Sequence, residues 1–220
     1  MPVHRPATAV NTARRPRPTA STTGATAWTP NQQAARQRIV EAAADLIARD
    51  GLGACTVRGL AAETGLKKST VHSYFDDVNE IVDLAVTEVF DRLAQRASAA
   101  VDRAPDAAEA LSYLVRLFMG RAGAPTFRDG ALWPEYIAHA WKRGAREDIL
   151  RGHEVMRVVF EQALRKTPEI SDAEAVERSA SVHHYLLGAM IRNMVRRLPK
   201  DEVARAVSAL SGIELDPARC

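Results

Sequence analysis

Cysteine is almost missing from this chain: Cys55 and Cys220 are the only two in 220 residues. They show no metal-ligand spacing and cannot form the disulfide framework of a small secreted domain, so a reducing cytoplasm is the expected compartment. Long apolar runs are missing as well. A spanning helix needs about eighteen consecutive apolar residues and none exist, and the N-terminus carries Arg and Pro where a signal peptide would be apolar; no membrane partner is expected. No segment alternates apolar and polar residues as a half-buried strand does, which leaves an all-α chain. Gly-rich phosphate loops, a nucleophile elbow, paired metal ligands and clustered catalytic carboxylates are also absent. The expectation is therefore no enzyme, no cofactor and no metal.

What the chain does contain is a 46% apolar share, enough to bury an ordinary core. The net charge of +3 is mild, but it is unevenly spread. Residues 1–35 hold Arg5, Arg14, Arg15 and Arg17 and no acid, residues 36–97 sum to −2 and the remainder to +1. Any basic surface must therefore be local. Residues 1–28 mix Pro, Thr, Ala and Arg without apolar periodicity and read as a disordered basic tail, either a solvated extension or an arm that follows DNA.

Helix punctuation begins at Thr29, an N-cap followed by Pro30 and by Gln32 as the partner in a capping box. Ile39, Ala43, Leu46 and Ile47 recur at helical spacing, and Gly51 closes this first helix. Thr56 caps a second helix reaching about 64, Gly65 breaks it, and a third covers 67–74. Asp77 and Glu80, as another capping box, open a long fourth helix to about 97. Further helices are expected near 106–122, 127–143, 145–166, 171–197 and 200–211. Their limits are set by Pro105, Gly123, Pro125, Gly144, Pro168 and Pro199, with caps at Thr126 (Asp129 three residues on) and at Ser171 (Glu174).

The stretch TVRGLAAETGLKKSTVHSYF, 56–75, fits a helix-turn-helix, with Ala61, Gly65 and Val71 where the motif needs a small contact residue, a turn residue tolerating positive φ and a buried aliphatic. Leu60, Leu66 and Phe75 add core. Lys67, Lys68, Ser69, Thr70, His72, Ser73 and Tyr74 then fall on or beside the second helix, with Thr56 and Arg58 on the first. Lysines and hydroxyls on a helix laid in a major groove bond phosphates and base edges. The same geometry also occurs as a plain helical corner with a solvated face.

Residues 36–84 resemble the N-terminal domain of the TetR family of transcriptional regulators along their whole length. The resemblance rests on the Ile-x-x-Ala-Ala opening helix, the glycine after it, Thr56, LAAETGL, STVHSYF and the acidic, aliphatic start of helix four. It implies a three-helix DNA-binding domain over 29–97 and an effector-binding and dimerisation domain over 98–220. The function implied is a ligand-responsive repressor that binds double-stranded operator DNA as a homodimer and is released by a small-molecule effector. Three positions depart from the family pattern: His72 replaces a phosphate-bonding tyrosine, Val78 a lysine, and Lys67 a serine cap. These departures and the acidic head sustain an alternative, a small-molecule-binding helical dimer whose helix-turn-helix no longer reads DNA.

In the C-terminal half, Trp133, Ile137 and Trp141 share one helical face, and Met156 and Phe160 share another. With Phe118 they either line an apolar effector cavity or form plain core. The effector such a cavity implies is apolar or aromatic-stacking, and His184 is a candidate polar contact. Trp133, Glu135 and AREDILRG resemble the subgroup related to the choline-responsive regulator, without making choline the expected effector. His139, His153, His183 and His184 lack the spacing of metal ligands. Small residues on helix eight (Ala180, Gly188 and Ala189), together with Tyr185 there and Val203, Val207 and Leu210 on helix nine, give the face that the resemblance assigns to the dimer.

Overall fold

The computed structural model describes residues 28–120 and 125–220, with 125–131 as backbone only. The expected tail over 1–28 lies, except for Trp28, outside these residues, as does Gly123. The described residues form nine α-helices and no strand: α1 Pro30–Asp50, α2 Val57–Thr64, α3 Lys68–Tyr74, α4 Val78–Arg103, α5 Ala107–Met119, α6 Pro125–Arg143, α7 Arg146–Leu164, α8 Asp172–Val195 and α9 Lys200–Ser211. A single 3-10 turn, Leu52–Ala54, follows α1.

Local chemistry explains most ends. The Thr29 hydroxyl accepts from the Gln32 amide at 3.3 Å while the Gln32 side chain accepts from the Thr29 amide at 2.9 Å, closing the box at the head of α1. Ser171 and Glu174 do the same for α8. Gly65, at φ +69°, takes the left-handed conformation that turns the chain from α2 into α3. Asp77 caps α4 through the Asn79 amide at 2.9 Å, but Glu80 closes no box; its carboxylate crosses to Arg36 of α1 at 2.5 Å. A long-range ion pair has here replaced the local bond that sequence spacing suggests.

Several helix limits differ by a few residues from the sequence expectation, and two of the differences have a clear cause. Helix α4 continues past 97 to Arg103, because nothing in Ser98–Arg103 breaks it and only Ala104, driven to an extended conformation before Pro105, stops it. The expected boundary at 97 thus falls inside one uninterrupted helix. Helix α6 starts at Pro125, so Thr126 sits in its first turn and is not its cap. Pro at the first helical position needs no donor there, which makes the proline the better start.

One apolar cluster runs through the whole described chain. Ile39, Ala43 and Ile47 of α1, Leu60 of α2, Val71 of α3 and the following Phe75 are buried around the first half of α4, through Ile81, Val82 and Ala85. The second half of α4, through Leu93, Ala94 and Ala97, is buried against α5 and α7. Helix α8 packs on α5, α7 and α9. No helix among the described residues is long and apolar enough to cross a membrane.

Leu60 of α2 is fully buried, so Leu60→Ala is expected to destabilise the fold by about 2–5 kcal/mol, read as a lower urea midpoint. Lys68→Ala, on an exposed side chain without a partner among the described residues, is expected to leave the midpoint within error.

Candidate functional site

The turn between α2 and α3 is held from inside. The Thr56 hydroxyl accepts from the Gly59 amide at 3.0 Å, the Thr64 hydroxyl donates to the Leu60 carbonyl at 2.6 Å, and the Leu66 amide donates back to the Thr64 hydroxyl at 3.3 Å. With Leu60, Val71 and Phe75 turned into the core, the opposite side of α3 faces solvent. Arg58, Lys67, Lys68, Ser69, His72 and Ser73 are exposed, while Thr70 and Tyr74 are half-buried. Lys67 occupies the N-cap of α3 and makes no side-chain cap bond. Ser73 donates its hydroxyl proton to the Thr70 carbonyl at 2.7 Å, which leaves it an acceptor only.

The head has more acids than bases, yet most of its acids are paired with arginines, Asp76 beside the end of α3 being an exposed exception. Glu63 binds Arg49 through both oxygens at 3.1 and 2.9 Å, which holds its carboxyl below the usual range. Glu80 binds Arg36, Asp45 binds Arg92, and Asp83 binds Arg143. Among the described residues, the side chains of Arg58, Lys67, Lys68 and His72 form no hydrogen bond or ion pair. Sequence reasoning missed two supports of this face. The Arg36 guanidinium lies 4.5 Å over the Phe75 ring, and Trp28 stacks on Tyr74 with ring centroids 5.6 Å apart. Neither carries a periodic signal, since each partner is brought in from another helix or from outside one.

The second feature is a small cavity of about 30 Å³ enclosed by α4, α5, α6, α7 and α8. Phe90, Leu93, Phe118 and Trp133 wall one part of it, and His153, Met156, His183 and Met190 another. Trp133 meets Phe90 edge-on at 4.9 Å and His153 edge-on at 5.0 Å. Its indole lies directly against α7 where residue 152 is glycine; a Cβ there would stand 2.5 Å from the ring. On the other side of Trp133 lies a second, smaller pocket, bounded by Thr87, Asp91, Tyr136, Asp148 and Arg151.

Of the effector residues expected from sequence, Phe118, Trp133 and Met156 line the cavity. Phe160 sits one layer behind, stacked on His183 at 5.4 Å. Ile137 packs against the core without lining the cavity. Trp141 is 61% exposed and lies under the Arg146 guanidinium at 4.8 Å; it turns outward because its end of α6 passes beyond the last layer of core. His184 is exposed and lines a separate surface groove with Tyr185 and Gly188.

His153 and His183 are the polar groups of the cavity wall. Burial pushes the His183 imidazole down to about 3, with His153, His184 and Arg157 adding repulsion and Glu154 opposing. His153 is lowered by burial and then by His184. Its Nδ1 is buried without any hydrogen-bond partner. Among the described residues no three His, Cys, Asp or Glu side chains are placed to hold a metal ion.

A third feature is the outer face of α8, where Val176, Ile191, Met194 and Val195 are exposed, the last to 89%. Gly188 is on this exposed side, Tyr185 and Leu210 are half-buried and Ala189 is buried. Val203 and Val207, which the sequence placed on a dimer face, are instead buried within the subunit. Helix α9 has one apolar stripe, and α8 and α5 of its own chain already cover it.

Residues 39–84 match the model of the bacterial regulatory proteins of the tetR family. No curated protein matches the chain. Among solved structures, the fold is shared with a transcriptional regulator, SCO7518, of Streptomyces coelicolor A3(2), 20% identical, TM-score 0.62, covering 83% of this chain and 99% of that one. It is shared as well with a TetR-family regulator from a Rhodococcus species, 19% identical, TM-score 0.60, covering 80% and 94%. A transcriptional regulator of Saccharomonospora viridis solved in complex with choline is 21% identical, TM-score 0.58, covering 82% and 95%.

The buried histidines make stability depend on pH with a definite sign. A histidine held neutral in the fold but free to protonate near pH 6.5 when unfolded contributes fully above that value. The contribution is lost as pH falls from about 6.5 toward the folded value of about 3. Urea midpoints measured from pH 7 to pH 4 are expected to fall more steeply for the natural protein than for His183→Leu.

Proposed function

We propose that this chain, which carries the N-terminal domain of the tetR family of bacterial regulatory proteins, is a ligand-responsive transcriptional repressor that works in the cytoplasm. It binds operator DNA as a homodimer and is released when a small molecule enters the cavity among α4, α5, α6, α7 and α8. The single observation that carries the DNA-binding part is the set of exposed Arg58, Lys67 and Lys68, unpaired among the described residues, beside Ser69 and Thr70 and the exposed His72. Cations left without protein partners on a helix-turn-helix are free to neutralise phosphates, and the hydroxyls beside them can bond phosphates or base edges. Tyr74, held by Trp28, flanks the same face.

The dimer is supported by the exposed apolar face of α8, where Val176, Ile191, Met194 and Val195 gain burial only from another chain. Two reading helices spaced about 34 Å apart meet successive major grooves on one side of a duplex. A small-molecule effector is supported by the apolar cavity and by the likeness of fold to the S. viridis regulator that holds choline.

The route between cavity and DNA runs through one carboxylate. Asp83 of α4 accepts from the Tyr136 hydroxyl at 3.2 Å and from Arg143 at 3.1 Å, with a second Arg143 contact. Trp133 stands one turn before Tyr136 on α6, and their rings are 6.1 Å apart. A ligand that displaces Trp133 thus disturbs Tyr136 and its hold on α4, so ligand and operator oppose each other reciprocally.

Fluorescence anisotropy against the upstream DNA of its own gene tests the reading. Binding at low salt is expected, and its absence from an intact dimer overturns the repressor assignment. Lys68→Ala is expected to lower the slope of log affinity against log salt by about one unit, and Thr70→Ala to cost on the order of 1 kcal/mol. Asp83→Asn is expected to keep operator binding and to weaken its release by effector.

A further inference from the structure

The wall of the cavity restricts what can occupy it, and the inference drawn here rests on the ligand-responsive reading above. Among the described residues, no carboxylate, lysine or arginine lines the space as it stands. A cation would lose its hydration without gaining an opposite charge, and an anion would need a protonated imidazole from a pair that burial keeps neutral. An aromatic cage is the usual substitute for a carboxylate around a quaternary ammonium. Here Trp133 is already engaged edge-on by both Phe90 and His153.

One polar atom in this wall has no use within the fold. The Nδ1 of His153 is buried and unpartnered, whereas buried polar atoms in folded proteins nearly always have a partner. In the Nε2–H tautomer of a neutral imidazole this nitrogen is an acceptor, the form the proposal below requires.

Size supplies the third constraint. The cavity of about 30 Å³ is too small for a drug-sized molecule as it stands. Its extension is closed off by a flat side chain: Trp133 separates it from a pocket beside Tyr136 and Asp91, where the carboxylate of Asp148 is already paired with Arg151 at 3.5 Å. Gly152 lets the indole lie flush on α7, so a ring of similar thickness fits the same slot once Trp133 moves.

We propose that this site selects an uncharged, planar aromatic ligand bearing one hydroxyl or ring N–H, which donates to His153 Nδ1 while its ring takes the slot vacated by Trp133. Four one-ring probes separate the alternatives by isothermal titration of the full chain: phenol, toluene, benzoate and benzylammonium, with choline as a fifth. Phenol is expected to bind about tenfold more tightly than toluene, the equivalent of one added hydrogen bond, and the three ions at least about a hundredfold more weakly than phenol.

His153→Phe is expected to abolish the preference for phenol while toluene still binds. Because that variant enlarges a packed wall, the 15N shift of the His153 imidazole is followed in the natural protein as well, and phenol but not toluene is expected to move it. Choline or benzylammonium binding as tightly as phenol overturns the proposal, as does an imidazole shift indifferent to phenol. Operator binding is measured on the same preparation. Loss of all neutral-probe binding in protein that still binds operator overturns the cavity assignment alone. Probe selectivity without operator binding sustains this proposal and overturns the repressor reading instead.

Discussion

The burial of α4 on two sides is the constraint around which the chain is built. Its first half completes the core of the three short helices before it, and its second half completes that of the helices after it, within one unbroken apolar cluster. Alanines at 85, 94 and 97 let neighbouring helices approach closely. Because neither set of helices covers its apolar face without α4, the exposed side of α3 and the cavity share one structural element. The polar groups that α4 carries are correspondingly spent on binding its neighbours: Glu80 to α1, Asp83 to α6 and Arg92 back to Asp45.

This use of ion pairs also shapes the charge of the acidic head. Arg36, Arg49, Arg92 and Arg143 pair with carboxylates of α1, α2 and α4. The run 67–74 carries no acid and keeps Lys67 and Lys68 unpaired among the described residues, with Asp76 following just beyond it. Exposed pairs of this kind contribute little to stability, but they decide which side of the domain carries uncompensated charge. The net charge of a segment therefore says little about the face it turns to a partner.

Sequence sufficed where a feature is local. The boxes at Thr29 and Ser171, the cap at Thr56, the glycine turn at 65 and the inward Val71 each depend on residues within four positions of one another, and each is found in the structure. Sequence failed where the competing interaction comes from elsewhere. Glu80 left its expected box for an arginine 44 residues away. Val203 and Val207 form an apolar stripe whose periodicity cannot say whether the covering helix belongs to the same chain. Trp141 continues the stripe of Trp133 and Ile137, yet the stripe outruns the core. The cavity was legible only in outline: Phe118, Trp133 and Met156 were named from helical spacing, but Phe90, Leu93 and Gly152 gave no signal apart from ordinary core and helix composition. His153 and His183 lack the spacing of metal ligands, and their place in a wall follows from the packing of α7 on α8.

The unbroken length of α4 has a mechanical consequence. Its 26 residues, at about 1.5 Å each, make a rod of roughly 39 Å, so a tilt of ~5° pivoting at the Arg103 end carries the Val78 end through about 3 Å. Hydrogen bonds to base edges survive displacements of only a few tenths of an ångström. In the DNA complex proposed above, a lever this long converts a rearrangement the size of one side chain into a misfit between protein and duplex, with no need for any helix to unfold.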